Sequence, residues 1–172
     1  MWHSPGSFYI KESAMKGDPE VIDVLNEILT AELTAINQYY IHAMMCDNWG
    51  YKRLYKWKRK ESIEEMKDAD VIIKRILFLD GVPNMQRYNP VRVGENAVEQ
   101  HELDLALELA AIERLNKAIP LCRGKGDNGT AELLEHILKG EENGADELEA
   151  HLHVVREVGK ENYLAQQIYD ED

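Results

Sequence analysis

A chain of 172 residues with 44% hydrophobic side chains is long enough for one domain with a sizeable core. Its formal net charge of −12, from 20 Lys+Arg against 32 Asp+Glu, argues against a nucleic-acid binder and is compatible with gathering cations or with plain solubility. Cys46 and Cys122 stand far apart in no C-x-x-C pattern, which excludes a disulfide framework, a zinc ribbon and covalent haem attachment and fits reduced thiols in a cytoplasm; no apolar run is long enough for a membrane span, since even Val71 to Leu79 is split by Lys74 and Arg75.

Residues 1–14 lack the basic-then-apolar order of a signal peptide and precede a second methionine, Met15, so they read as an added leader, with the fold assigned to 15–172. The first helix opens at Asp18-Pro19, a cap followed by a proline tolerated in the first turn, and its expected buried stripe is Ile22, Leu25, Leu29, Ile36 and Tyr40. Glu32 breaks that stripe. An unpaired carboxylate there would cost several kcal/mol or stay protonated, so something should bind it.

The second helix is expected from Lys52 to Leu79, with Asp80-Gly81 as its stop and Pro83 beyond. It carries Glu61-Ser62-Ile63-Glu64-Glu65-Met66-Lys67-Asp68, in which Glu65 and Asp68 share a face while Met66 turns about 100° away. One face suits a hard cation and its neighbour a partner. Residues 81–94 show no helical period and form a connection long enough to cross a bundle. The third helix starts near Glu95-Asn96, places Glu108 in a largely inward environment, and should kink or end at Pro120. The fourth covers roughly 130–158 with Gly159 as its stop; Glu141 is a further acid on an apolar stripe, and Gly140 and Gly144 weaken that turn. A short fifth helix is expected within 161–169.

Four long helices, one long crossover and inward carboxylates on all four predict an all-α, ferritin-like four-helix bundle with a short C-terminal helix. The chain resembles bacterioferritin, the haem-containing ferritin of bacteria. The resemblance rests on Met15-Lys16-Gly17-Asp18, Ala35-Ile36-Asn37-Gln38-Tyr39-Tyr40, Asn48-Trp49-Gly50, the Glu61–Lys67 segment, Arg75-Ile76-Leu77-Phe78-Leu79, Asp104-Leu105-Ala106-Leu107-Glu108-Leu109 and Asn162-Tyr163-Leu164. It implies that Glu32, Glu65, Glu108 and Glu141 are the glutamates of a ferroxidase centre binding iron.

Two histidines of that centre are missing. Where the family has Glu-x-x-His, this chain has Glu65-Met66-Lys67-Asp68 and Glu141-Glu142-Asn143-Gly144. Asp68 could supply an oxygen ligand; Gly144 supplies nothing. Lys60 stands where many members carry the histidine of an interior iron site, with Glu64 keeping a carboxylate nearby. Loss of both imidazoles removes the nitrogen donors suited to iron, so an impaired centre is expected. A residual polar core satisfied by water, lysine, Tyr39 or the glutamates themselves is the bland alternative. Tyr39 shares a face with Glu32 and either hydrogen-bonds a site carboxylate or packs as core. Of the remaining histidines, His101 shares the face of Glu108 but lies two turns away, and His42, His136, His151 and His153 do not align with the glutamates.

Met66, by contrast, matches the family residue that binds haem b, one methionine from each of two subunits across a twofold contact, with Met45 and Trp49 as candidates for the pocket. Thioether ligation raises the haem potential and suits electron transfer. The resemblance thus implies a subunit of a 24-subunit iron-storage cage, served by an electron donor for iron release. It is compatible with a mixed cage in which a second bacterioferritin chain supplies the oxidation chemistry. An active ferroxidase at the variant site and a purely structural haem carrier remain the other two readings.

Overall fold

The computed structural model describes residues 16–169, so the leader assigned to 1–14 lies outside the described residues. Five helices follow in order: α1 Pro19–Asn48, α2 Lys52–Phe78, α3 Ala97–Gly124, α4 Asn128–Val158 and α5 Lys160–Ala165. α1 packs along α2 and α3 along α4, and an extended crossover joins the two hairpins. The all-α bundle with a short fifth helix is therefore as expected.

The helix ends follow local chemistry. Asp18 accepts a hydrogen bond from Glu20 N–H (2.8 Å), and Asn96 accepts from Val98 and Glu99 N–H (both 3.2 Å). Asp127 caps α4 by accepting from Thr130 N–H, and Arg75 of α2 grips the same cap through Asp127 (2.6 Å) and Thr130 Oγ1 (2.8 Å). Gly159 ends α4 at φ 83°, a conformation that favours glycine. α5 is shorter than expected, closing at Ala165.

Two local expectations fail. Pro120 does not end α3, which runs on to Gly124. Both Pro120 and Asn116, whose carbonyl loses its partner, are exposed, so water replaces the missing bond. On α1 Leu25 and Leu29 are fully buried as expected and Ile22 and Ile36 pack against the core, but Tyr40 is 44% exposed and Tyr39 is the fully buried tyrosine.

Along the bundle axis the interior is layered. One end is apolar, built from Leu25, Leu29, Ile72, Ile76, Leu115 and Leu134 among others. The inward glutamates come next, then a polar layer around Asp104, and a small apolar cluster of Cys46, Leu54, Ala97 and Tyr163 closes the other end. Asp104 receives Lys58 Nζ (2.5 Å), Gln38 Nε2 (3.0 Å) and His42 Nδ1 (2.8 Å), all four side chains being buried. Burial alone would raise the Asp104 carboxyl, but Lys58 and the His42 and Gln38 bonds hold it at about 2. Lys58 also reaches His101 Nδ1 (3.4 Å), His101 Nε2 donates to Tyr163 Oη (2.8 Å), and that hydroxyl donates to His151 Nδ1 (2.8 Å), which fastens α5 to α3 and α4.

The crossover is held by α1. Asn26 Oδ1 accepts from Asn84 N–H (2.7 Å), Thr30 Oγ1 from Arg87 Nε (3.2 Å), Thr34 Oγ1 from Asn89 N–H (2.9 Å), Gln38 Oε1 from Arg92 N–H (3.2 Å) and His42 Nε2 from Gly94 N–H (3.0 Å). These five α1 residues recur every four positions, one per turn on one face. Gly94 must be glycine, because a Cβ would lie 2.6 Å from Gln100 N.

Candidate metal centre

The four inward glutamates lie in the layer between the apolar end and the Asp104 network. Each projects from a different helix, and each is nearly fully buried: Glu32 2%, Glu65 6%, Glu108 2% and Glu141 4% exposed. Their helices place them there because each sits on the apolar face of its own stripe, so packing carries the carboxylate inward with its neighbours.

The carboxylates do not converge equally. Oxygen atoms of Glu32, Glu65, Asp68 and Glu141 all lie within 4.8 Å of one another. Glu108 stands outside that set. Its Oε1 accepts a short hydrogen bond from Tyr39 Oη, and its carboxyl leans over Gly144, where a Cβ would lie 3.3 Å from Cδ and Oε1. The space next to the side-chain-free position is thus filled by Glu108. Asp68, one turn beyond Glu65 and half-buried, forms the side of the cluster nearest solvent.

Electrostatics follow from this crowding. Burial, then the neighbouring carboxylates, push Glu32, Glu65 and Glu141 well above the usual range. Burial also raises Glu108, against the bonds from Glu141 and Tyr39. Asp68 rises to about 6, through burial opposed chiefly by His136. Apart from contacts among themselves, Glu32 Oε2, Glu65 Oε2 and Glu108 Oε2 are buried without a hydrogen-bond partner. Lys58, the buried cation of α2, is spent on Asp104. Glu32 Oε2, for which the sequence predicts a binding partner, has no hydrogen-bond partner among the described residues.

A cleft of about 410 Å³ opens onto the centre between α1 and α3, with Glu32, Glu65 and Glu141 at its floor, small residues such as Ala35 and Ala110 on its walls, and Arg92 and Arg114 among its lining. Tyr39 links the centre to a chain of rings: Trp57 lies edge-on at 6.4 Å, followed by His151 at 5.0 Å, and Trp57 Nε1 donates to Glu147 (2.7 Å). Sequence spacing did not single out Glu61, which burial raises to about 7 beside Glu147 and Glu108. Nor did it single out His136, the strongest counter-charge of Asp68. His136 meets Asp68 from another helix, which no single-helix period relates, whereas Glu61 lies four residues before Glu65 on α2, a spacing that could have found it.

Met66 is 49% exposed, one position along from Glu65 and pointing out of the bundle. Ile63, one turn earlier on α2, is 41% exposed, and Arg59 lies over the Tyr40 ring (5.2 Å). Within the subunit Met45 Sδ accepts from Gln100 Nε2 of α3 (3.7 Å), and Trp49 packs on Tyr51 and the cluster around Cys46. Among the described residues, no helix is long and apolar enough to cross a membrane.

Comparison with known proteins agrees with this geometry. Residues 22–158 match the Ferritin-like domain. The chain is 51% identical to the bacterioferritin of Mycolicibacterium paratuberculosis over 152 residues, which is 88% of this chain and 96% of that protein. Similar matches are the bacterioferritin of Streptomyces coelicolor, 48% identical over 88% of this chain and 90% of its own, and that of Brucella melitensis, 42% identical over 87% and 92%. A bundle with carboxylates converging from its helices, matched over nearly its whole length to these proteins, belongs to the bacterioferritin family.

Proposed function

We propose that this chain is an iron-storing cage subunit that carries haem at Met66 and whose own carboxylate centre is a poor ferroxidase. The observation that supports impairment is Gly144: it brings no side chain to the centre, and Glu108, bonded to Tyr39 and Glu141, leans over that position in place of a nitrogen donor. Reduction of dioxygen to peroxide takes two electrons, which two ferrous ions at one centre can supply and one cannot. A centre that holds a single iron well, with no nitrogen donor to balance the charge of its carboxylates, is slow at that step.

Haem at Met66 is supported by an observation of this chain: the thioether is 49% exposed, so it is not core filler. Met66 from two subunits would hold the iron from opposite sides, and the haem would supply one-electron transfer between a donor and the stored mineral. Assembly into a 24-subunit cage in the cytoplasm, and a second bacterioferritin chain that oxidises iron in a mixed cage, complete this reading. A haem-ligating position kept beside a centre without either histidine suits such a division of labour.

The test is ferrous oxidation by cages made of this chain alone, followed by stopped flow at increasing iron. Slow mineral growth without a rapid phase is expected. A rapid phase saturating at two irons per chain would overturn the reading in favour of an active ferroxidase. Mass spectrometry of native cages tests the second chain.

A further inference from the structure

We infer that Trp57 and Tyr163, bridged by the imidazoles of His101 and His151, form an oxidation relay that draws the oxidising equivalent made where ferrous iron meets peroxide across the bundle to its α5 end. The relay goes beyond the storage reading and rests on it only in needing the centre to take up iron. Tyr39 touches the centre through its bond to Glu108 and lies edge-on to Trp57 at 6.4 Å. Trp57 meets His101 at 5.8 Å and His151 at 5.0 Å; the two imidazoles stack at 5.0 Å, and each meets the Tyr163 ring at 5.9 Å. These are the separations of contacting aromatic pairs, so an electron passes from ring to ring with no saturated chain between them.

Independent of the ring contacts, each oxidisable ring of the relay has a base for the proton it must shed. Losing an electron makes an indole N–H or a phenol O–H strongly acidic. Trp57 Nε1 donates to the exposed Glu147 (2.7 Å), and Tyr163 Oη donates to His151 Nδ1 (2.8 Å). Lys58 fixes the second direction. Its ammonium can only donate, so His101 Nδ1 accepts (3.4 Å), His101 Nε2 carries the proton and donates to Tyr163, and the phenol proton is left for His151. Burial, then Lys58, hold both imidazoles below their usual range, which keeps them neutral. Glu147, His151 and Trp57 line a cleft of about 390 Å³ between α2 and α4, through which protons reach solvent. A mere clasp for α5 requires Tyr163 between the histidines, but not an indole packed on both of them.

The chemistry balances. Ferrous iron and hydrogen peroxide give ferric iron, hydroxide and a hydroxyl radical, which becomes water by taking a proton from solvent and, through the Tyr39 contact, an electron from Trp57. The Nε1 proton passes to Glu147. Tyr163 then returns an electron to the indole radical, Glu147 returns the proton, and the phenol proton moves to His151 Nδ1. The net product is a Tyr163 phenoxyl radical, away from the inward carboxylates.

Assembled full-length protein is loaded with ferrous iron without oxygen, mixed with hydrogen peroxide, frozen within milliseconds and examined by electron spin resonance, beside Trp57→Phe and Tyr163→Phe variants whose folding is checked by circular dichroism. The parent should show a tyrosyl radical. That signal should be lost in Y163F, with a tryptophanyl spectrum in its place, and lost in W57F. Because W57F leaves the bonds of Tyr163 in place, it keeps the test decisive if Y163F unfolds. A tyrosyl signal unchanged in either folded variant would overturn the relay. Iron uptake is measured first: a chain that takes up none removes the storage reading as well, whereas iron oxidised by peroxide without a ring radical removes only the relay.

Discussion

Gly140 and Gly144 sit one turn apart on α4, and replacing each in turn with alanine measures how firmly Glu108 is held. Either change removes the backbone freedom of a glycine in a helix interior, a gain of about 1 kcal/mol. At Gly140 a Cβ meets nothing within 4 Å, so the gain should appear in full, raising the thermal midpoint by about 2–4 °C. At Gly144 the Cβ would lie 3.3 Å from Glu108 Cδ and Oε1, and Glu108 must yield by a few tenths of an ångström against its bond to Tyr39. Disturbing that bond costs about 0.5–1.5 kcal/mol, which cancels most of the gain. Gly144→Ala should therefore leave the midpoint within about 1–2 °C of the parent by calorimetry at one scan rate. Equal stabilisation by the two alanines would refute the claim that Glu108 fills the space over Gly144. The functional extension is Gly144→His with Asp68→His, which restores both imidazoles and displaces Glu108 toward the centre; ferrous oxidation should accelerate at fixed iron load. No acceleration with iron bound at the repaired centre would place the fault in access or in Tyr39 instead.

Met66→Leu should keep helix content and cage assembly but abolish the low-spin haem band of the purified protein; a band at parental stoichiometry would reject Met66 as ligand. Tyr163→Phe removes the hydroxyl between His101 and His151 and should cost about 1–3 kcal/mol, read as a lowered midpoint with faster hydrogen exchange across α5. Glu61 and Asp68 have folded-state carboxyls raised to about 7 and about 6, so the stability they contribute is present below about pH 4 and lost as pH rises through 6 and 7. Unfolding midpoints of metal-free protein should fall between pH 5 and 7.5 on their account, and added Mn²⁺ should reverse the trend; a metal-free midpoint that rises over this range in the parent, and to the same extent in Glu61→Gln, would contradict it.

Much of the architecture is legible in the sequence, because apolar residues at helical spacing and capping residues such as Asp18 and Asn96 act locally. The inward glutamates are legible for the same reason: a carboxylate on an apolar stripe is carried inside whatever it binds. What spacing does not carry is relation between helices. Lys58 sits in a run of Lys and Arg that reads as a solvated face, yet it is fully buried because Asp104, from another helix, waits for it. Whether Glu108 turns toward the other acids or toward Tyr39 is likewise decided across α1 and α3. Pro120 misleads in the other direction, since its cost depends on whether the orphaned carbonyl meets water, which exposure settles and sequence does not.

The crossover shows no periodicity of its own because its register is written on another segment. Four of its attachments to α1 use crossover backbone N–H groups, and the acceptors are Asn26, Thr34, Gln38 and His42. α1 thus works as a ruler, with marks one turn apart. From Asn26 to His42 the ruler is about 24 Å long, whereas the ten residues from Asn84 to Gly94 can reach roughly 33–36 Å, so the strand lies along it with slack. Slack of that kind absorbs a changed side chain or a small bulge between marks without pulling on the bundle. A lost mark on α1, by contrast, frees a whole stretch of the crossover. For this segment, the residues that specify position are on the helix it crosses, and those it carries are left free to face whatever lies outside.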